Sequence, residues 1–564
     1  MTTVTVAEAV GAELARLGVD TVFGVVGSGN FHVTNALVAH GARFVAARHE
    51  GGAATMADAY ARVSGEVGVL SVHQGPGLTN ALTGITEAAK SRTPLLVLAA
   101  DVGAAAVRSN FRIDQAALAR AVGAVPERIN SPASALADLR RAHRTALADR
   151  RTVLVSLPLD VQAAAFPDPK AAGESARRDA PWVCAAPPVP SRQGIARLAD
   201  ALAAAGRPVF IAGRGARLAA AREPLRALAE RTGALLATSA VARGLFHGDP
   251  FDLDVSGGFA SPLAAELIRE ADLLVGWGCA LNMWTLRHGS LVGAAAKVAQ
   301  VDLDGEALGA HRPVDIGLVG DVAETARAVA AELAGRDFSA SGYRSAELAD
   351  RLASELRWHD VPYEDDSFDH GDGDARVDPR TLSIALDELL PLDRTVAVDS
   401  GNFMGYPAMY LNVPDADGLV FTQAFQSIGL GLATAIGAAL ARPDRLTVAA
   451  LGDGGALMSV GELETAVRLG LGLLIVVYDD EAYGAEVHHF GPEGHPLETV
   501  VFPPADIAEI GRGFGCAAIT VRRREDVAAA SEWLAGPRDR PLLVHAKVTK
   551  ARPAWWLEEA FRGH

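Results

Sequence analysis

The sequence predicts an α/β protein of three domains, each a mainly parallel sheet flanked by helices. Short apolar runs alternate with amphipathic helical patterns in three separate stretches. One proline-bearing segment and one acidic segment part these stretches. Two of the three also repeat a layout of strand, glycine turn, helix and strand, which suggests a shared topology.

The first domain is placed at 1–165. It opens with a helix over 5–17, signalled by the capping box Thr5 and Glu8 and by the stripe Val6, Val10, Leu14 and Leu17. Strands follow at 21–26, 43–47, 68–72 and 95–100, with helical patterns between them. Over 164–191 the periodicity gives way to repeated prolines and reads as an extended linker. A middle domain at 190–336 resumes the rhythm, with strands at 208–212, 234–238, 273–276 and 297–301. From 337 to 378 the chain turns acidic, with Glu364-Asp365-Asp366 and the run 369–374, and reads as a solvated connector; a specific cation site is the alternative. The third domain spans 377–550. The repeated layout lies at 67–101, around Gly75-Pro76-Gly77, and at 446–480, around Gly452-Asp453-Gly454-Gly455. Both glycine turns fall at the carboxyl ends of strands, where open α/β sheets bind ligands.

Composition excludes several classes of function. The 564 residues are 49% hydrophobic, enough for large buried cores. A formal charge of -16, from 52 basic against 68 acidic residues, opposes contact with a nucleic-acid backbone. Cys184, Cys279 and Cys516 are far apart and in no metal-type spacing, so neither a disulfide frame nor a zinc site is expected. The chain has no leader-like start and no apolar run near the ~20 residues that span a bilayer, so a cytoplasmic protein is expected.

The strongest chemical signal is Gly452-Asp453-Gly454-Gly455, preceded by the strand 446–451 and followed by the helical stripe Leu457, Val460, Leu463 and Val467. Glycines there let successive amide N–H groups and a helix start face an anion, and a diphosphate is the natural occupant. Asp453 would repel it unless a hard divalent cation bridges carboxylate and phosphate oxygens. The next strand, 473–478, ends in Asp479-Asp480, which returns Asp480 to the same sheet edge 27 residues after Asp453. Two acidic turns at strand ends with no joint purpose are the plainer alternative.

Gly452-Asp453-Gly454, the helix and strand after it, then Asp479-Asp480 and Tyr483-Gly484 resemble the thiamin-diphosphate signature, whose usual ending is Asn-Asn. By this resemblance Gly452, Gly454, Gly455, Tyr483 and Gly484 shape the diphosphate site. Asp453 and Asp480 offer side-chain oxygens to Mg2+, and Ala482 offers its backbone carbonyl. Asp480 in place of Asn adds a negative charge, which bears on metal affinity and its pH dependence. A second block, Arg48-His49-Glu50-Gly51-Gly52-Ala53-Ala54 through Asp58-Ala59-Tyr60-Ala61-Arg62, resembles the pyrimidine-domain motif of acetolactate synthases. Val22-Phe23-Gly24, Gly75 to Asn80 and Ser427-Ile428-Gly429-Leu430-Gly431 extend the likeness over nearly the whole chain.

The resemblance implies a pyrimidine-binding first domain, a middle domain and a diphosphate-binding third domain. It makes Glu50 the catalytic acid/base, hydrogen-bonded to the aminopyrimidine. A helix-start acid is the alternative for Glu50. Ile428 is the aliphatic wedge that bends the cofactor, or else an ordinary core residue. Gln426 offers a backbone carbonyl to the 4'-amino group, and Asn402 contacts the diphosphate. Glu50 and the diphosphate motif come from different subunits in the family, which implies a homodimer at least and a homotetramer as the commoner form.

His73 and Ser28 match by position the catalytic histidine and substrate-binding serine of benzoylformate decarboxylase. A structural strand-end histidine is the alternative for His73. The flavin-binding arginine turn of the synthases is not visible in the stretch 276–283, and Gly213-Arg214-Gly215 alone does not call for a nucleotide, so FAD is doubtful. The expected function is a thiamin-diphosphate- and Mg2+-dependent decarboxylase or carboligase acting on a 2-oxo acid. An acyloin or aldehyde lyase is the alternative enzyme, and a catalytically silent regulatory subunit is the alternative of another class.

Overall fold

In the computed structural model, which describes residues 4–167, 186–371 and 373–557, three six-stranded parallel sheets carry the α/β fold. The first sheet comprises β1 (Thr21–Gly24), β2 (Arg43–Ala46), β3 (Gly68–Val72), β4 (Leu95–Asp101), β5 (Val125–Arg128) and β6 (Thr152–Pro158), in the order β2-β1-β3-β4-β6-β5. The middle sheet comprises β7 (Pro208–Ala212), β8 (Leu235–Thr238), β9 (Asp252–Val255), β10 (Leu273–Trp277), β11 (Lys297–Asp302) and β12 (Ile316–Val319), in the order β12-β11-β10-β7-β8-β9. After a short antiparallel hairpin, β13 (Phe368–Asp369) and β14 (Ala375–Arg376), comes the third sheet. Its strands are β15 (Arg394–Val398), β16 (Leu419–Phe421), β17 (Leu446–Gly452), β18 (Leu473–Asp479), β19 (Ala517–Val521) and β20 (Leu542–Lys547), in the order β16-β15-β17-β18-β20-β19. Counted from their own first strands, the first and third sheets have the same order, as the repeated layout implied.

The opening helix runs Val6–Arg16 with Thr5 as its N-cap, and the Thr5–Glu8 capping box is present. The glycine turn after β17 is less regular than its apolar stripe suggested. The helix Asp453–Met458 stops, and a second one, Glu462–Arg468, begins after a break. Leu457 and Met458 are left exposed while Leu463 is buried, so the stripe does not lie on one face. The acidic segment is also more ordered than a solvated connector. It contains the helix Ala346–Glu355, and its carboxylates are paired with the third domain: Asp366 with Arg552 at 2.6 Å, Asp365 accepting from Thr381 Oγ1 at 2.8 Å, and Asp369 from Arg523 Nε at 2.8 Å. The proline-bearing stretch lies for the most part outside the described residues, as does Cys184.

The first and third sheets share a core. One buried cluster contains Met56 and Ile85 from helices of the first domain and Ile436 and Leu463 from helices of the third. The contact is close because the helix Gly431–Ala441 is built of small residues. A Cβ on Gly437 would stand 2.2 Å from the Met56 carbonyl oxygen, so any larger residue forces the helices apart.

Candidate active site

Eleven of the residues singled out from the sequence line one cavity of about 1720 Å³: Asn402, Gln426, Ile428, Gly452, Asp453, Gly454, Gly455, Asp480, Ala482, Tyr483 and Gly484. The parallel sheet brings them together. β17 and β18 are hydrogen-bonded neighbours with Gly452 in register with Tyr478, so both acidic turns emerge at one edge. The glycines are required by space. A Cβ on Gly454 would lie 2.6 Å from the Tyr483 ring, one on Gly455 2.3 Å from Asp399 Oδ2, and one on Gly484 2.2 Å from Asp480 Oδ2.

The two aspartates of the second turn have opposite surroundings. Asp479 Oδ2 lies 2.6 Å from His545 Nε2 and accepts from Lys547 Nζ at 2.6 Å. Burial pushes its pKa up, but His545 and Lys547 outweigh it and hold the carboxyl below its ordinary value. Asp480 and Asp453 are buried and salt-bridged to no basic side chain among the described residues. Burial pushes Asp480 up to about 6. Burial, then the charges of Asp480 and Asp479, push Asp453 up to about 8. Nearby, Asn402 Oδ1 is buried without a hydrogen-bond partner. Two carboxylates without a basic partner, an orphaned amide oxygen and a glycine cradle fit a divalent cation and a diphosphate. Among the described residues no three His, Cys, Asp or Glu side chains are grouped to hold a metal alone, so a cation here depends on backbone and phosphate oxygens.

Asp453 has a direct consequence for stability. Its folded pKa of about 8 exceeds that of an unfolded aspartate, so the folded chain keeps a proton that the unfolded chain releases. The associated stabilisation is complete below about pH 4 and is lost as pH rises through about 8. In chelating buffer the melting temperature should fall from pH 6 to pH 9, and Asp453→Asn should flatten that fall; parallel curves for the two proteins would refute the assignment.

The loop before Ile428 is strained, with Gln426 at φ 60° although it is not glycine. Its far end is held by Asp399, which sequence reasoning did not single out. This buried carboxylate accepts from Gly429 N at 3.0 Å and Leu430 N at 3.2 Å, and burial pushes it up to about 6.

Glu50, His73 and Ser28 form a second cluster and line none of this cavity. Glu50 begins the helix Glu50–Ser64, and its Oε2 accepts from Asn80 Nδ2 at 3.0 Å. Glu50 is only half-buried in the single chain. His73 Nδ1 accepts from Gly29 N at 3.1 Å, which leaves Nε2 to carry the proton of the neutral ring. The His73 ring stands edge-on to Phe111 at 5.2 Å, and burial lowers its pKa against the opposing pull of Glu50. Ser28 is exposed in the turn between Gly27 and Gly29.

The N-terminal thiamine pyrophosphate binding domain of thiamine pyrophosphate enzymes matches residues 4–118, the central domain 195–329 and the C-terminal binding domain 399–546. A probable 2-ketoarginine decarboxylase of Pseudomonas aeruginosa is 32% identical over 93% of this chain and 90% of its own length. A sulfoacetaldehyde acetyltransferase of Rhodobacter capsulatus is 30% identical over 84% and 81%. A catabolic acetolactate synthase of Raoultella terrigena is 28% identical over 95% and 96%. Three domain matches and full-length relatives, on a chain whose two glycine turns sit at matching sheet edges, place it in the thiamine pyrophosphate enzyme family as a thiamin-diphosphate-dependent decarboxylase or carboligase.

Proposed function

We propose that the chain is a magnesium-dependent enzyme that cleaves or forms the carbon-carbon bond next to the carbonyl of a 2-oxo acid, working as a homodimer or a homotetramer in the cytoplasm. The observation that carries the reading is the cavity that gathers Asp453, Asp480 and Ile428. When bound there, thiamin diphosphate supplies a carbon nucleophile that stabilises the negative charge left after decarboxylation. Asp453, Asp480 and the Ala482 carbonyl would hold the cation, and Gly454, Gly455 and Asn402 would face the diphosphate. Ile428 would pack against the cofactor rings, and the Gln426 backbone carbonyl would accept a hydrogen bond from the 4'-amino group.

Glu50 would hold a proton against the pyrimidine ring nitrogen of the bound cofactor. Because Glu50, His73 and Ser28 lie outside the chain's own cavity, they are assigned to the cavity of a second copy, which also completes the burial of Glu50. Mixing Glu50→Gln with Asp453→Ala tests this arrangement. Each variant alone should be inactive, and mixed dimers should regain activity through one intact site. No recovery after verified subunit exchange would sink the shared-site reading.

For the substrate, the 2-ketoarginine relative suggests a 2-oxo acid with a basic tail. Glu486 lines the cavity beside Tyr483 and forms no ion pair among the described residues, so it is the carboxylate assigned to such a tail. Carbon dioxide release and product analysis across pyruvate, benzoylformate and 2-ketoarginine decide between donors. His73→Ala should lower turnover about 10²- to 10⁴-fold while cofactor affinity stays within about twofold, as suits a proton-transfer group; wild-type turnover would return His73 to a structural role.

A further inference from the structure

The helix Pro76–Lys90 ends in a carboxylate with an unusual task. Glu87 is wholly buried. Its Oε2 accepts from Phe425 N at 2.7 Å, and its Oε1 from Ala424 N at 3.2 Å, from Arg62 Nη2 at 2.8 Å and from Ser91 Oγ at 3.0 Å. Ala424 and Phe425 immediately precede Gln426. They belong to the third domain, whereas Glu87 belongs to the first. The loop has little else to hold it, since the side chains of Ala424, Phe425 and Gln426 are exposed. Its other end hangs from Asp399 through Gly429 and Leu430. The strained Gln426 therefore sits on a short span suspended between two buried carboxylates from different domains.

The reverse contact also exists. Glu462, buried in the third domain, accepts from Arg48 N at 3.1 Å and His49 N at 3.0 Å. Those amides directly precede Glu50 in the first domain. A Cβ on Gly52 would stand 2.5 Å from Glu462 Oε1, so the carboxylate is pressed against the start of the Glu50 helix. Each domain thus sends one buried carboxylate to two successive backbone N–H groups beside the other domain's functional residue.

We propose that Glu87 and Glu462 are reciprocal positioning residues: Glu87 sets the loop that carries Gln426 and Ile428, and Glu462 sets the helix start that carries Glu50. Charge-assisted bonds to backbone N–H groups are short and strong, and they fix main-chain position where a side-chain contact would not. A left-handed Gln426 persists only while its surroundings over-determine it, and the Glu87 and Asp399 tethers do so. The proposal rests on the reading of Gln426, Ile428 and Glu50 as cofactor contacts.

The test uses the full-length protein with Glu87→Ala, Glu87→Gln and Glu462→Gln, and Ile428→Ala as a control. In Glu87→Ala the amides of Ala424 and Phe425 should exchange with deuterium about tenfold faster, and the dissociation constant of thiamin diphosphate with Mg2+ should rise about tenfold, as expected for one lost charge-assisted bond. Those of Gly429 and Leu430 should keep their protection. Glu87→Gln, which keeps one acceptor oxygen, should fall between Ala and wild type; it also serves if the Ala protein does not fold. Glu462→Gln should loosen the Arg48 and His49 amides and lower kcat, with cofactor affinity and KM changed less than about twofold because the diphosphate end is untouched. Lower melting temperatures with unchanged local exchange, cofactor affinity and kcat would make both glutamates merely structural and overturn the proposal. If Ile428→Ala is also silent, the reading of the loop as a cofactor contact fails; if it alone impairs the enzyme, only the positioning role fails.

Discussion

Glu50→Gln should cut turnover by about 10²- to 10⁴-fold, the range for loss of a positioned proton-transfer group, while the melting temperature and cofactor affinity stay close to wild type. Glutamine retains the size of glutamate and one oxygen able to accept from Asn80 Nδ2, which lies 3.0 Å from Glu50 Oε2. The helix start is held independently by the bonds from Arg48 N and His49 N to Glu462 and by the His49 cap on Gly51 N. The fold therefore has no reason to respond. What glutamine lacks is an acidic proton that it can transfer to the pyrimidine ring nitrogen. Proton exchange at thiazolium C2, followed by NMR on the loaded enzyme, should slow in step with turnover. A Gln variant that exchanges at the wild-type rate would remove Glu50 from the catalytic machinery. A Glu50→Asp variant should recover only part of the rate, because the shorter side chain withdraws the carboxyl by one methylene.

Asp453→Ala should weaken combined Mg2+ and thiamin diphosphate binding by at least about 100-fold, since even supporting residues behind metal ligands cost 10- to 100-fold when removed. Calorimetric titration of the stripped protein measures it directly. Asp480→Asn is more informative, because it restores the residue usual in the signature. The Asp480 charge is, after burial, the largest influence raising Asp453. With that charge gone, Asp453 ionises at lower pH and fewer protons compete with the cation. Wild-type binding should strengthen steeply from pH 6 to pH 8, following carboxyls at about 6 and about 8. The Asn variant should show a shallower rise and bind relatively better at pH 6. Identical pH profiles would mean that the two carboxylates do not share a cation.

The variant signature also explains why Asp479 and Asp480 must be considered together. In sequence they are one acidic pair at a strand end. In the fold Asp479 points to His545 and Lys547 on the neighbouring β20, while Asp480 lines the cavity. One carboxylate is neutralised from within the sheet and the other has no basic partner among the described residues. Lys547→Met should therefore destabilise the protein, because it strands a buried carboxylate.

Local features of the sequence were sufficient to identify most strands of the first and middle sheets, the capped opening helix, the glycine turn at Asp453 and the return to Asp480. Each depends on residues close together in the chain, through hydrophobic period, cap chemistry or the steric demand for glycine. The helix after Asp453 was misread because its stripe continued through a break that only packing imposes. The acidic segment is solvent-exposed at Glu364, Asp365 and Asp369, as a solvated connector should be, but its pairings with Arg552, Thr381 and Arg523 join residues distant in sequence and leave no local signal. Glu87, Asp399 and Glu462 carry no motif that separates them from surface acids.

The residue types and spacings by themselves determined the chemistry that this protein can hold, because a diphosphate cradle and its carboxylates are written within one strand-turn-helix-strand unit. Tertiary structure alone decided which carboxylates are neutralised and which are left without a basic partner. Those outcomes depend on burial and on partners up to several hundred residues away, as with Glu462 and Arg48, and no local pattern encodes the dielectric and the charges that a folded interior brings together.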